Sequence, residues 1–215
     1  MAVEAKICGL TRPDDAAYAA AHGAWRLGVI FAGGPRLVTV AQARDIVSAA
    51  AGVPVLGVFG PGSPEAMLET IEAAGLAGAQ LYGDDVAPVA ASLRRRGLEV
   101  WRVAGVAADL PLHRALAAVA ADADALLIEA GAPGGSGGKG IAIPLDLARS
   151  ARMAAPPIRF VLAGGLTAES VATAIRIVEP DAVDVSSGIE TSPGIKDRAL
   201  LARFLENVFA ARSAA

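Results

Sequence analysis

The 215-residue chain contains one cysteine and two histidines, and aromatic residues make up only 4% of it. A lone cysteine can form neither an internal disulfide nor a cysteine zinc cage, so the sequence reads as that of a reducing, cytoplasmic compartment. His22 and His113 lie far apart in the chain, which argues against a histidine-based metal site. So few rings make a poor base-stacking platform, and a net charge of −3 with a pI near 5.4 offers no basic face for a nucleic acid. Charged residues are 19% against 54% hydrophobic, the reverse of a disordered composition. Mean hydropathy is high at +0.49, but alanine and glycine inflate it. No apolar run reaches the ~18 residues a membrane helix needs. The opening Met1-Ala2-Val3-Glu4 carries no basic region ahead of a long apolar stretch, so no targeting segment is expected.

What the chain does have is alternation. Short apolar runs occupy residues 5–8, 26–31, 53–59, 78–81, 98–102, 125–129, 159–163 and 182–185. Their near-continuous Val, Ile and Leu content is what a sheet buried on both faces requires. The segments between them carry helical patterns. Residues 14–21 form one, and residues 64–74 place Met67, Leu68 and Ile71 on one face. Residues 167–178 form another, with Thr167 as N-cap and Glu169 in the first turn. Repeated strand–helix units without a linker predict α/β architecture, a single (β/α)8 barrel domain over residues 1–215. A doubly wound sheet is the alternative and normally needs fewer strands.

In such barrels the chemistry sits where strands end. Here those ends hold Cys8-Gly9, Gly33-Gly34-Pro35-Arg36, Gln80-Leu81-Tyr82, Glu129, Gly164-Gly165 and Ser186-Ser187-Gly188. Asp84 and Asp85 read as helix N-terminal charges without chemistry. Glycine turns after the seventh and eighth strands occupy the usual phosphate position, so Gly164, Gly165, Ser186, Ser187 and Gly188 are expected to bind a phosphate through backbone N–H groups. The run Gly135-Ser136-Gly137-Gly138-Lys139-Gly140 formally matches a dinucleotide fingerprint. It lacks the surrounding βαβ unit, and Gly140 stands where a Walker loop needs Ser or Thr, so residues 131–140 read instead as a mobile lid.

Taken together, the strand ends resemble the phosphoribosylanthranilate isomerase family. The matching segments are Lys6-Ile7-Cys8-Gly9-Leu10-Thr11, Gly28-Val29-Ile30-Phe31 with Pro35-Arg36, Gln80-Leu81-Tyr82-Gly83, and Gly134-Gly135-Ser136-Gly137. Leu162-Ala163-Gly164-Gly165-Leu166, then 183–190 (VDVSSGIE) and 192–197 (SPGIKD), complete them in family order over almost the whole chain. The resemblance implies an Amadori rearrangement of a phosphorylated aminoaldose, with no metal or organic cofactor. It implies Cys8 as general base, a carboxyl group at position 129 as general acid, and Arg36 facing the anthranilate carboxylate. Two departures stand out. Glu129 replaces the usual aspartate, and Tyr82 replaces a histidine.

A thiol works as a base only where its pKa is drawn down. Alternation offers a means, because Lys6 shares a face with Cys8, and Asp184 shares one with Ser186 on the neighbouring last strand. A buried Lys6–Asp184 pair beneath Cys8 is therefore expected. By the same parity Ala125, Leu127 and Glu129 point into the barrel, and a partly desolvated Glu129 carboxyl should have a raised pKa. The implied partner is a small-molecule phosphosugar, with no nucleic acid and no membrane, acting on a monomer or homodimer. Two rival readings are another phosphosugar isomerase or epimerase on the same barrel, for which Arg36 would have no carboxylate to meet, and a degenerate phosphate-binding module without turnover.

Overall fold

The computed structural model describes residues 3–83, 85–107, 109–131 and 141–212. Asp84 and the glycine-rich residues 132–140 of the expected lid lie outside the described residues. Eight parallel strands close into a barrel in chain order. They are β1 (Glu4–Ile7), β2 (Arg26–Ile30), β3 (Val55–Phe59), β4 (Gly78–Leu81), β5 (Glu99–Val106), β6 (Ala125–Ala130), β7 (Arg159–Leu162) and β8 (Ala182–Val185). The helices are α1 (Pro13–Ala21), α2 (Val40–Ala49), α3 (Pro64–Ala74), α4 (Ala87–Arg95), α5 (Leu112–Ala120), α6 (Leu145–Ala154), α7 (Val171–Val178) and α8 (Arg198–Arg212). Closure is direct, because β1 pairs with both β2 and β8, the latter in register Lys6↔Asp184. The closed barrel, rather than the doubly wound sheet, is thus the architecture.

Period-2 alternation sorts the strand residues into two cores. Leu27, Val29, Leu126, Ile128, Phe160 and Leu162 face outward and pack under the helices. Leu56, Trp101, Ala125, Leu127, Val161 and Ala182 fill the barrel interior. Trp25 closes the N-terminal end, its ring between the Arg26 and Arg159 guanidinium groups at 4.1 and 4.3 Å. The interior is therefore a packed floor, and the cavity that holds the candidate site opens toward the strand C-termini.

Helix starts follow local chemistry. Thr39 and Gln42 form a reciprocal capping box on α2, and the Ser63 hydroxyl accepts from Ala66 N–H on α3. The expected start of the seventh helix at Thr167 needs correction. The regular helix begins at Val171, and Thr167 instead shapes the turn before it, its hydroxyl accepting from Ser170 N–H at 3.3 Å. β5 runs four residues beyond the apolar run that predicted it. Arg102 ends that run, yet the strand continues through it with its side chain buried. After β8 a 3-10 turn (Ser187–Ile189) leads into a small antiparallel hairpin, β9 (Glu190–Ser192) and β10 (Ile195–Lys196), which strand periodicity does not reveal at two to three residues per strand.

Candidate active site

The floor of the site is a buried polar layer. Lys6, fully buried on β1, sends its Nζ to Asp184 Oδ1 at 2.8 Å and to Gln80 Oε1 at 2.8 Å. The ammonium also lies 5.4 Å from the Trp101 ring centroid below it. Burial pulls Lys6 down, but Asp184 and Cys8 outweigh it, and the amine titrates above its ordinary range. Removing either partner of this pair would strand a buried charge, at a cost of about 3–5 kcal/mol. The expected Lys6–Asp184 pair is present, and Gln80 is an additional partner that the sequence reading passed over.

Cys8 stands directly above this layer at the end of β1, 5% exposed. Its backbone N–H donates to Val185 O at 2.8 Å, which fixes the turn out of the strand. Gly28 on β2 makes room for it, since a Cβ there would lie 2.9 Å from the thiol sulfur and 3.1 Å from Lys6 Cε. The electrostatic result differs from the expected one. Burial pushes the Cys8 thiol up, Lys6 only partly pulls it back, and the thiol ends above its ordinary value. The lysine is largely spent on Asp184, which adds its own upward push.

Across the mouth, Glu129 extends from β6 and accepts a hydrogen bond from the Tyr82 hydroxyl at 3.3 Å. Tyr82 in turn accepts from Gln80 Nε2 at 3.4 Å. Burial first, and then the charge of Glu129, hold the phenol well above 10, so it remains a donor. A row of side chains thus runs from Asp184 through Lys6, Gln80 and Tyr82 to Glu129.

The mouth is completed by β7 and β8. Cys8, Arg36, Gln80, Tyr82 and Glu129 line one cavity with Gly164, Gly165, Asp184 and residues 186–188. The glycines are demanded by close packing. A Cβ on Gly188 would meet Leu166 O at 1.9 Å, while Gly164 and Gly165 take φ of +89° and +63° against residues 141–142. The Ser186 hydroxyl is buried and has no hydrogen-bond partner among the described residues. A buried donor of that kind calls for an acceptor. A second, wider hollow between Arg94, Glu99 and Asp124 opens near the N-terminal ends of β5 and β6; its Arg94–Asp124 pair, at 3.2 Å, is exposed on both sides.

Arg36, from the loop after β2, lines the cavity but is not a free cation. Its Nε and Nη2 fork onto Glu190 at 2.9 and 2.6 Å, and Lys196 Nζ reaches the same carboxylate at 2.8 Å. The sequence assigns neither Glu190 nor Lys196 a role. Both lie in the matched segments 183–190 and 192–197, but only the β9–β10 hairpin folds them back onto Arg36.

A family model for N-(5'phosphoribosyl)anthranilate (PRA) isomerase matches residues 5–207. The N-(5'-phosphoribosyl)anthranilate isomerase of Halorhodospira halophila is 37% identical over 210 residues, covering 97% of each chain. The phosphoribosyl anthranilate isomerase structure from Thermus thermophilus superposes with a TM-score of 0.83 at 30% identity, covering 98% of this chain and 100% of that one. Another isomerase structure, in complex with reduced 1-(o-carboxyphenylamino)-1-deoxyribulose 5-phosphate, gives 0.81 at 30% identity, covering 96% and 98%. A barrel closed in family order, with a cysteine and a carboxylate facing each other across its mouth, and these matches along nearly its whole length place the chain in the phosphoribosylanthranilate isomerase family.

Proposed function

We infer that the reaction this isomerase catalyses in tryptophan biosynthesis, the Amadori rearrangement of N-(5-phosphoribosyl)anthranilate, is divided between Glu129 as acid and Cys8 as base. The observation that carries this division is their common cavity, with one group from β6 and the other from the end of β1. Glu129 protonates the furanose ring oxygen. The C1–O bond breaks and the anilino nitrogen's lone pair forms the Schiff base. Cys8 thiolate then takes the proton from C2, giving an enolamine. That species tautomerises, C1 gaining a proton and the C2 hydroxyl losing one, to 1-(2-carboxyphenylamino)-1-deoxyribulose 5-phosphate. These proton transfers need no metal or organic cofactor. Lys6 and Asp184 form the fixed floor under Cys8.

The phosphate is held by the Gly164–Gly165 and Ser186–Gly188 backbone, and the Ser186 hydroxyl supplies a further donor. A crystal grown in sulfate is expected to show an anion against the Gly165, Ser187 and Gly188 backbone. Side chains filling that position instead would count against any phosphosugar. Arg36 takes the anthranilate carboxylate. We place the enzyme in the cytoplasm as a monomer or homodimer, acting on a small-molecule phosphosugar and on neither nucleic acid nor membrane. Among the described residues no helix is long and apolar enough to cross a membrane.

The deciding experiment is complementation of a tryptophan auxotroph lacking this step, coupled to kinetics of Arg36→Met. The variant should raise KM and lower kcat/KM roughly tenfold to a hundredfold, the loss of a charged hydrogen bond worth ~1.5–3 kcal/mol, while inorganic phosphate still inhibits it as before. Failure to complement, with kcat/KM unchanged in the variant, would favour a different phosphosugar isomerase or epimerase.

A further inference from the structure

Arg36 is usable for recognition only if its guanidinium is held still, and the structure shows what holds it. Glu190 Oε1 accepts from Arg36 Nε at 2.9 Å, from Lys196 Nζ at 2.8 Å and from Gly194 N–H at 3.2 Å. Glu190 Oε2 accepts from Arg36 Nη2 at 2.6 Å. The Glu190 side chain is 4% exposed and that of Lys196 is 0%. Lys196 is fixed in turn, its Nζ donating to Ser186 O at 3.1 Å and its backbone N–H to the buried Asp15 carboxylate at 3.2 Å. The Thr11 hydroxyl pins the hairpin turn through Gly194 O at 2.6 Å. Arg36 lines the cavity, whereas Glu190 and Lys196 stand behind it.

The fork uses the Nε/Nη2 edge of the guanidinium. Of five N–H donors, this leaves three, two of which form the end-on Nη1/Nη2 edge that matches a second carboxylate. The charges agree with that arrangement, since two cations face one carboxylate and the cluster keeps an excess positive charge. Burial pushes the Glu190 carboxyl up, but the Arg36 hydrogen bonds and Lys196 prevail, and it titrates below its ordinary range. Burial pulls Lys196 down despite Glu190. The amine is thus an expensive group to keep here, and its contacts all serve the carboxylate and the chain around Ser186.

We propose that Glu190 and Lys196 are positioning residues that set substrate specificity: they clamp Arg36 by one edge so that its other edge meets the anthranilate carboxylate at a fixed distance from the phosphate site. This rests on the reading of Arg36 as the carboxylate ligand. Glu190 touches no reacting atom. Its effect is confined to how well Arg36 is presented, and therefore to KM.

The test uses the full chain with Glu190→Gln and Lys196→Gln, Arg36→Met, and the double variant Arg36→Met/Glu190→Gln. The probes are the substrate, reduced 1-(o-carboxyphenylamino)-1-deoxyribulose 5-phosphate, and inorganic phosphate. Glu190→Gln should raise KM and weaken the reduced analogue about tenfold, with kcat within about threefold and phosphate inhibition unchanged, because only the orientation of a charged donor is lost. Glu190→Asp, which keeps the charge, should recover part of the loss. The double variant should be no worse than Arg36→Met alone, since both remove the same interaction. Unchanged phosphate inhibition reports an intact neighbouring backbone, a readout that mere misfolding would not spare. Should Glu190→Gln fail to fold, Lys196→Gln decides by the same KM rise with phosphate inhibition unchanged; a KM rise accompanied by weakened phosphate inhibition would trace to the Lys196–Ser186 contact and overturn the proposal. A KM at or below wild type in the folded variant would mean that Glu190 competes with the substrate for Arg36 and would overturn the proposal. So would an additive double variant. If Arg36→Met itself leaves KM unchanged, the carboxylate reading of Arg36 fails. If Arg36→Met is impaired and Glu190→Gln is not, the positioning role alone fails.

Discussion

Cys8→Ser is expected to fold normally and to lose most turnover, by ~10²–10⁴ in kcat, the usual contribution of a general base. Serine fits the space, because the hydroxyl is no larger than the thiol that already packs beside Gly28. Its acidity is the difference, since a hydroxyl supplies no anion near neutrality. The wild-type thiol sits above its ordinary value because burial exceeds the pull of Lys6. The sign for activity follows from that direction. The thiolate is the working form, so kcat/KM, which reports the free enzyme, should climb with pH through neutrality toward the alkaline side, about tenfold per unit below the midpoint. The midpoint should lie above that of an ordinary thiol, ~8.5. Cys8→Ser should lose this rising limb along with the rate. Steady-state kinetics over roughly pH 6–10 on freshly generated substrate check both expectations. Near-normal turnover in the folded variant, or an ascending limb that survives it, would remove Cys8 from the role.

The placement of Cys8 was legible from alternation alone. A strand puts every second residue on one face, so Lys6 with Cys8, Asp184 with Ser186, and Leu127 with Glu129 were fixed relative to each other once the strands were found. Barrel closure then set β1 beside β8 and brought Lys6 level with Asp184. What alternation cannot carry is the balance of energies at a point. The pair beneath Cys8 was foreseeable, but whether burial or Lys6 governs the thiol depends on how far Asp184 and Gln80 already occupy the ammonium. Gln80 is one polar residue in a short apolar run, and only the structure shows that it accepts from Lys6 and donates to Tyr82. Glu190 and Lys196 were out of reach for another reason. Their meeting with Arg36 spans 154 residues from Arg36 to Glu190 and depends on a hairpin whose strands are too short to show a period. The glycines expected to bind phosphate also have a packing role that the sequence does not show. The turn chemistry pointed to anion access, while the backbone also needs Gly188 to pass against Leu166.

Glu129→Gln should be as severe as the loss of the base, ~10²–10⁴ in kcat, because an amide keeps the shape and cannot release a proton to the ring oxygen. The site has room for a glutamate in the proposed role of acid, where the resemblance implies an aspartate. Glu129 lies beside Gly105 on β5, so the neighbouring strand offers no side chain to crowd its longer stem. Tyr82, standing where a histidine is usual, meets it from β4 with a hydroxyl at 3.3 Å. That phenol is held in its protonated form by burial and by Glu129 itself, so it can only donate toward the carboxylate. A donor there stabilises the anion left after the proton has gone, and it fixes where the longer side chain ends. The two departures are therefore matched in space, the longer acid and the larger partner facing each other. Glu129→Asp should accordingly retain activity, since the carboxyl survives and the ring oxygen stays within reach, although the Tyr82 contact stretches by a methylene. Kinetics of the two variants side by side make the measurement, with inorganic phosphate inhibition as the check that the site is intact. If folded Glu129→Gln turns over like wild type, the proton comes from another group, and Asp184 in the same cavity becomes the acid to test.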